Sequence, residues 1–318
     1  MLRQLNHLGF LVAVVAATLG SVYMQKLQMT VYCDNVVEGP GIAIELHRFT
    51  VDYYDDMTPR RFASDISVYT DDGKTLRGTV EVNKPLKVNG WWIYQYDYHH
   101  TMGSKSPYSV FLLVKDPWLP AVYIGIILML AGALSLLGIK YVPKRWWVLL
   151  AAFLLTVFFT FLTVSRMGNT ARNPMPALQS PWFIPHLIVY MAGYAMLAMA
   201  TLMALYLLFI RRAKTSQKDL DLTDNIVYVG LAFLTIGMLL GAIWAKVAWG
   251  HYWTWDPKET WAAVTWLCYV VYIHFRKAFP KEWRKASWIL LLAFVCLQMC
   301  WWGINYLPSA QSISLHTY

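Results

Sequence analysis

The chain has 318 residues, of which 58% are hydrophobic and only 14% charged, with a formal net charge of +9. That composition excludes an ordinary soluble globular protein. The positive balance does not point to nucleic acid either, because the basic residues are sorted by position along the chain rather than gathered into one patch.

A hydrocarbon core of about 30 Å is crossed by about 20 apolar residues in a helix. Seven runs of that kind occur, near 7–26, 118–139, 146–165, 186–210, 226–245, 257–275 and 286–305. The expected fold is therefore a mainly α membrane protein of about seven transmembrane helices. A small extracytoplasmic β-rich domain is expected between helices 1 and 2. The first run follows Arg3, and its Ala16-Ala17-Thr18-Leu19-Gly20-Ser21 segment offers a poor cleavage site, so residues 1–29 read as a retained anchor.

Residues 30–117 have a different character. Alternation in Asp65-Ile66-Ser67-Val68-Tyr69-Thr70 and Gly78-Thr79-Val80-Glu81-Val82, with turn signals at Asp71-Asp72-Gly73 and Val88-Asn89-Gly90, predicts short strands. Aromatic residues crowd Trp91 to Tyr96, and Ser109 to Val114 reads as a last strand before Asp116-Pro117-Trp118 turns into the membrane. Residues 118–145 then hold one helix and a cytoplasmic turn, and residues 146–318 a helix bundle.

Lys140, Lys144 and Arg145 follow the second run, Arg211, Arg212, Lys214 and Lys218 the fourth, and Arg276, Lys277, Lys281, Arg284 and Lys285 the sixth. The alternate short loops hold only Arg166, Arg172, Lys246 and Lys258. The positive-inside rule then places the N-terminus in the cytoplasm and the C-terminus outside, in an inner (cytoplasmic) membrane. Cys33, Cys268, Cys296 and Cys300 show neither CxxC nor zinc spacing and imply no disulfide framework.

Among the eight histidines, depth is the informative property. His186 opens the fourth run and His316 lies in the outer tail, while His7 and His274 both fall near the cytoplasmic face. Paired imidazoles at one depth suit the two axial positions of a haem iron. Ionisable groups in membrane helices are expensive and face functional partners. His47, His99, His100 and His251 carry no such pairing.

Between the fifth and sixth runs lies Trp249-Gly250-His251-Tyr252-Trp253-Thr254-Trp255-Asp256-Pro257-Lys258-Glu259-Thr260-Trp261. Asp256, Pro257 and Glu259 suit an N-cap, a first helical position and a capping box. Trp249, Trp253 and Trp255 exceed what a cap or an interfacial belt needs, and a flat apolar macrocycle would bury well against such faces. Lys258 is placed to pair with a propionate.

Gly241-Ala242-Ile243-Trp244-Ala245 followed by this loop resembles the tryptophan-rich WWD signature (residues 244–261) of the CcsA/ResC family of cytochrome c maturation. Tyr272-Ile273-His274-Phe275-Arg276 and Leu315-His316-Thr317-Tyr318 fit the same family, so the resemblance covers roughly residues 146–318. Asn6-His7-Leu8-Gly9-Phe10 and the strand leading to Asp116-Pro117 are similar to the C-terminal portion of the partner family, CcsB/ResB. The chain thus looks like a shortened fusion of the two partners of a system II cytochrome c synthase.

The resemblance implies that His186 and His316 ligate haem at the loop, with Trp249, Trp253, Trp255 and Asp256 around it. It also implies that His274, with His7, receives haem b on the cytoplasmic side. The implied activity joins haem vinyl groups to the cysteine thiols of a CxxCH apocytochrome c. The implied partners are that apocytochrome, a CcsB/ResB-like subunit, a thiol reductant and the lipid bilayer, with no nucleic acid. Two other readings remain open from the residues: a haem transporter or chaperone without ligase activity, and a quinone-linked respiratory membrane subunit.

Overall fold

The structure, a computed structural model, describes residues 4–137 and 146–307. Unbroken apolar runs form its helices and alternating stretches its strands. The first helix, α1 (Gln4–Tyr23), ends where Leu27, Met29 and Val31 begin to alternate with polar residues, and β1 (Gln25–Tyr32) follows at once. The β-rich domain therefore starts before the residue-29 limit expected for the anchor. Inward-facing strand residues are as apolar as helical ones and blur that boundary in the sequence.

The strands are β2 (Val36–Gly39), β3 (Ile42–Tyr53), β4 (Pro59–Thr70), β5 (Thr75–Glu81), β6 (Leu86–Val88), β7 (Trp91–Tyr98) and β8 (Tyr108–Lys115). They form two four-stranded antiparallel sheets, ordered β1-β8-β7-β6 and β2-β3-β4-β5. Val88 pairs with Trp91 across Asn89-Gly90, both at positive φ (49° and 81°), the two-residue turn whose twist matches antiparallel strands. Met29, Ile44, Ile66, Trp91, Ile93 and Phe111 are buried between the sheets. The strand period of two turns Tyr94, Leu112 and Val114 to the opposite face, where they make a second small cluster.

The remaining helices are α2 (Leu119–Leu136), α3 (Trp146–Met167), the short α4 (Asn169–Arg172), α5 (Phe183–Leu205), α6 (Gln217–Trp249), α7 (Pro257–Ala278) and α8 (Trp283–Trp301). Among the described residues six helices are long and apolar enough to cross a membrane, namely α1, α2, α3, α5 with its extension to Arg211, α6 and α8. The seventh run is a helix too: α7 has 22 residues but carries Lys258, Glu259, Arg276 and Lys277 near its ends. Its Tyr269, Tyr272 and Ile273 join residues of α5, α6 and α8 in the main core.

At 33 residues α6 is about 50 Å long, more than a hydrocarbon core needs. Ser216 and Asp219 close a capping box at its start, and Gly250 ends it in the left-handed conformation (φ 82°). Near that start Asp224 accepts from Arg276 Nη2 at 2.9 Å and from Tyr272 Oη at 2.7 Å, tying α6 to α7 at the end remote from the β domain.

Candidate functional site

The seam between α5 and α6 is built on glycine. Gly237 and Gly241 are one helical turn apart, and a Cβ on Gly241 would lie 2.8 Å from His186 Cε1. A Cβ on Gly237 would lie 2.2 Å from the Tyr190 ring. The missing side chains let both aromatic rings of α5 lie against the α6 backbone. His186 Nδ1 is 2.8 Å from the carbonyl oxygen of Gly237. A carbonyl only accepts, so Nδ1 carries the proton and the lone pair sits on Nε2. The ring is further held 4.9 Å from Tyr190 and 5.8 Å from Trp244, centroid to centroid.

His186 borders a mostly apolar cavity of about 1010 Å³, measured with its open mouth, lined also by Tyr190, Trp253, Lys258, Cys300 and Trp301. Five helices contribute to the wall, α3, α5, α6, α7 and α8, and the loop after α6 closes one side. Cys300 Sγ lies 3.6 Å from Tyr194 Oη and 3.8 Å from the Lys258 carbonyl, which places a thiol in the wall.

The three tryptophans expected to make one patch have three different settings. Trp249 packs on Trp244 with ring centroids 5.2 Å apart, and Trp244 Nε1 donates to the Ala177 carbonyl at 2.9 Å. Trp253 faces the cavity, and its buried Nε1 has no hydrogen-bond partner among the described residues. Trp255 is 72% exposed and sits at φ 60°, a strained conformation for a bulky residue. Its ring meets that of Trp253 edge-on at 5.9 Å.

Asp256 does what the helix grammar predicts. Its Oδ1 accepts from Glu259 N at 2.8 Å, while Glu259 Oε2 accepts from Thr254 N at 2.7 Å and from Asp256 N at 3.4 Å. The carboxylate is thereby placed in the helix start, and it is not among the cavity-lining residues. Beside it, burial pushes the Tyr252 phenol well above its ordinary pKa, and Tyr94 of β7 is raised by the same cause. Both rings are therefore neutral across the physiological range.

At the other end of the bundle α1 approaches α7. Phe10 stacks on Trp266 at 5.6 Å, Trp266 Nε1 donates to Thr235 Oγ1 at 2.9 Å, and the rings of His7 and His274 lie 5.9 Å apart. His274 Nδ1 is 2.9 Å from the Val270 carbonyl, which again leaves the lone pair on Nε2. Lys258 in the cavity wall and His274 are 16 residues apart on α7, about 24 Å of helix, so the two histidine locations are well separated. His316 lies outside the described residues.

Some of these features escaped the reading of the sequence. Gly237 and Gly241 spell a G-x-x-x-G pattern inside an apolar run, a signal for close helix packing that was available. Tyr190, Cys300 and Lys246 carry no local signal, because their positions depend on which helix faces meet.

Comparison with known proteins adds a family. The cytochrome C assembly protein family matches residues 121–310, and the ResB-like family matches residues 3–109. The chain is 37% identical over 174 residues to the cytochrome c biogenesis protein CcsA of Chlamydomonas reinhardtii, covering 52% of this chain and 48% of that protein. It is 36% identical over 195 residues to the CcsA of Guillardia theta, covering 52% of this chain and 63% of that protein. With the CcsA of Prochlorococcus marinus (strain AS9601) the identity is 32% over 197 residues, covering 52% of this chain and 62% of that protein. The matches thus span about half to under two thirds of these relatives' length.

Proposed function

The chain belongs to the cytochrome c assembly protein family, joined here to a ResB-like part, and on that premise we propose that it holds haem b for attachment to apocytochrome c. The site is the cavity beneath Trp253. The observation that carries this reading is His186, whose Nδ1 is engaged by Gly237 so that Nε2 is the nitrogen able to bind a metal. Two features of the cavity fit a porphyrin: a wall that is mostly apolar, and a buried Trp253 Nε1 with no hydrogen-bond partner among the described residues, suited to a propionate. The resemblance assigns the opposite axial position to His316.

His7 and His274 are the proposed receiving pair on the cytoplasmic face. Support comes from their juxtaposition, since the two imidazoles meet edge-on with centroids 5.9 Å apart although they lie on different helices. The orientation follows the loop charges, with the N-terminus cytoplasmic and the tryptophan loop extracytoplasmic in the inner membrane.

Haem and a CxxCH peptide are the substrates. Each cysteine thiol adds across one vinyl group: sulfur bonds to the carbon next to the ring, the proton goes to the terminal carbon, and no electrons are gained or lost. The cysteines must therefore arrive as thiols, which calls for a thiol reductant. The protein's contribution is orientation, since the cavity grips the macrocycle while its open mouth admits the peptide. The peptide's own histidine displaces His186 or His316 and draws the thiols toward the vinyl groups. A CcsB/ResB-like subunit is a further partner.

Purified chain, haem and a reduced CxxCH peptide test the proposal. Covalent haem-peptide without another protein is the expected product. Stable haem binding with no product would instead favour a carrier. An unchanged haem spectrum in stably expressed His186→Gly and His316→Gly variants would refute the ligand assignment.

A further inference from the structure

Beside the tryptophan loop the β-rich domain meets the helix bundle at two places. On one side Asn83 Nδ2 donates to the Pro176 and Ala177 carbonyls at 2.7 and 3.3 Å, and Gln179 Nε2 donates to the Arg60 carbonyl at 2.6 Å. The Ala177 carbonyl is the same oxygen that receives Trp244 Nε1. On the other side the turn after α6 lies flat against the outer face of β7 and β8. A Cβ on Gly250 would be 3.1 Å from the Tyr94 ring and 3.2 Å from Leu112 Cδ2.

Under that turn is Lys246, only 3% exposed. Its Nζ donates to the Gly250 carbonyl at 2.9 Å and lies 5.0 Å from the centroid of Tyr252 and 6.0 Å from that of Tyr94. No carboxylate lies within ion-pair distance of it among the described residues. A buried ammonium needs compensation, and here one carbonyl and two neutral π faces supply it at contact range, with the Asp116 carboxylate acting from farther off. One ring belongs to the β domain and the other to the loop. Tyr252 also borders the cavity, contacts Tyr123 of α2 edge-on at 6.2 Å, and is followed directly by Trp253.

We propose that Lys246 is a positioning residue through which the β-rich domain holds the tryptophan loop over the cavity, its ammonium shared between Tyr94 and Tyr252. A methionine or leucine would fill the same space. The cation instead gives both rings one fixed point, so the spacing between sheet and loop is set by charge as well as by packing. The β domain thereby controls the width of the cavity mouth beside Trp253. For haem this rests on the proposed function; for the loop itself it does not.

The test uses the full-length chain in detergent and four variants: Lys246→Met, Lys246→Arg, Tyr94→Leu and the Lys246→Met/Tyr94→Leu double. Alkylation is followed peptide by peptide at Cys300, in the cavity wall, and at Cys268 and Cys296, which lie between α7 and α8 with sulfurs 3.9 Å apart. Lys246→Met and Tyr94→Leu should each speed Cys300 alkylation about tenfold, and the double no more than either, because both remove one shared contact. Lys246→Arg keeps the cation and should stay within about twofold of the parent. Cys268 and Cys296 should not change. Haem affinity of the two single variants should fall in parallel with the rise at Cys300.

An unchanged Cys300 rate in Lys246→Met would overturn the proposal, as would additive single effects. A uniform rise at all three cysteines would also overturn it, since that is general loosening. If the parent chain binds no haem, the functional reading fails while the alkylation pattern still decides the role of Lys246.

Discussion

Gly241→Ala probes the site with one methyl group. The new Cβ would stand 2.8 Å from His186 Cε1 and 3.0 Å from Nδ1, closer than carbon atoms tolerate. The imidazole cannot retreat while Nδ1 keeps its 2.8 Å bond to the Gly237 carbonyl. Overpacking costs about 1–3 kcal/mol, and alanine returns up to about 1 kcal/mol of helix propensity, so net stability should fall by about 2 kcal/mol or less. Losing the Nδ1 bond adds about 1–1.5 kcal/mol against the ligating geometry, or about five- to tenfold in haem affinity. Haem titration followed by absorption spectra, beside thermal denaturation, measures both effects. Gly230→Ala is the control: it presses on Leu197 Cδ2 at 2.7 Å in the same seam, far from any histidine. It should lower stability alone. Equal haem spectra and affinities for Gly241→Ala and Gly230→Ala would refute the argument.

Other consequences are open to measurement. Asp256→Ala removes the cap of α7 and should lower stability by about 1 kcal/mol, with Asp256→Asn close to the parent in thermal melts. Arg276→Leu leaves Asp224 with Tyr272 as its side-chain partner among the described residues at the far end of α6, and a loss of about 3 kcal/mol in thermal or denaturant unfolding is expected. In the β domain the hydrogen bond from Lys74, with Thr70, holds the Asp72 carboxyl down to about 2. Thr79 lowers Asp65 and Arg61 lowers Glu81 in the same way. Folded pKa values below the unfolded ones give stability that is complete above about pH 5 and lost on acidification toward the folded values. Thermal melts of the chain should therefore decline from pH 5 toward pH 2, and Asp72→Asn should flatten the most acidic part of that decline.

The aromatic loop shows where local reading stops. Asp256, Pro257 and Glu259 were interpretable as a helix start because capping involves neighbours three residues apart. His274 is placed by helical rise and His7 by its position at the start of the first apolar run, and the structure brings those two rings together. The three tryptophans looked alike in sequence. Their settings differ: Trp249 packs on Trp244, which is bonded to Ala177, Trp253 faces the cavity, and a left-handed backbone leaves Trp255 exposed while its ring still meets Trp253.

What the amino-acid order determines alone is periodic: unbroken apolar runs for the helices and alternation for the strands. Each of these rests on a repeat contained within one element. Which faces then meet depends on close approach between elements distant in the chain. Tertiary packing decided that Gly237 and Gly241 admit the His186 ring, that Lys246 lies between rings of two domains, and that Cys300 enters the cavity wall. His186 and Gly237, for example, are 51 positions apart, and no local pattern encodes the shape complementarity that brings such residues together.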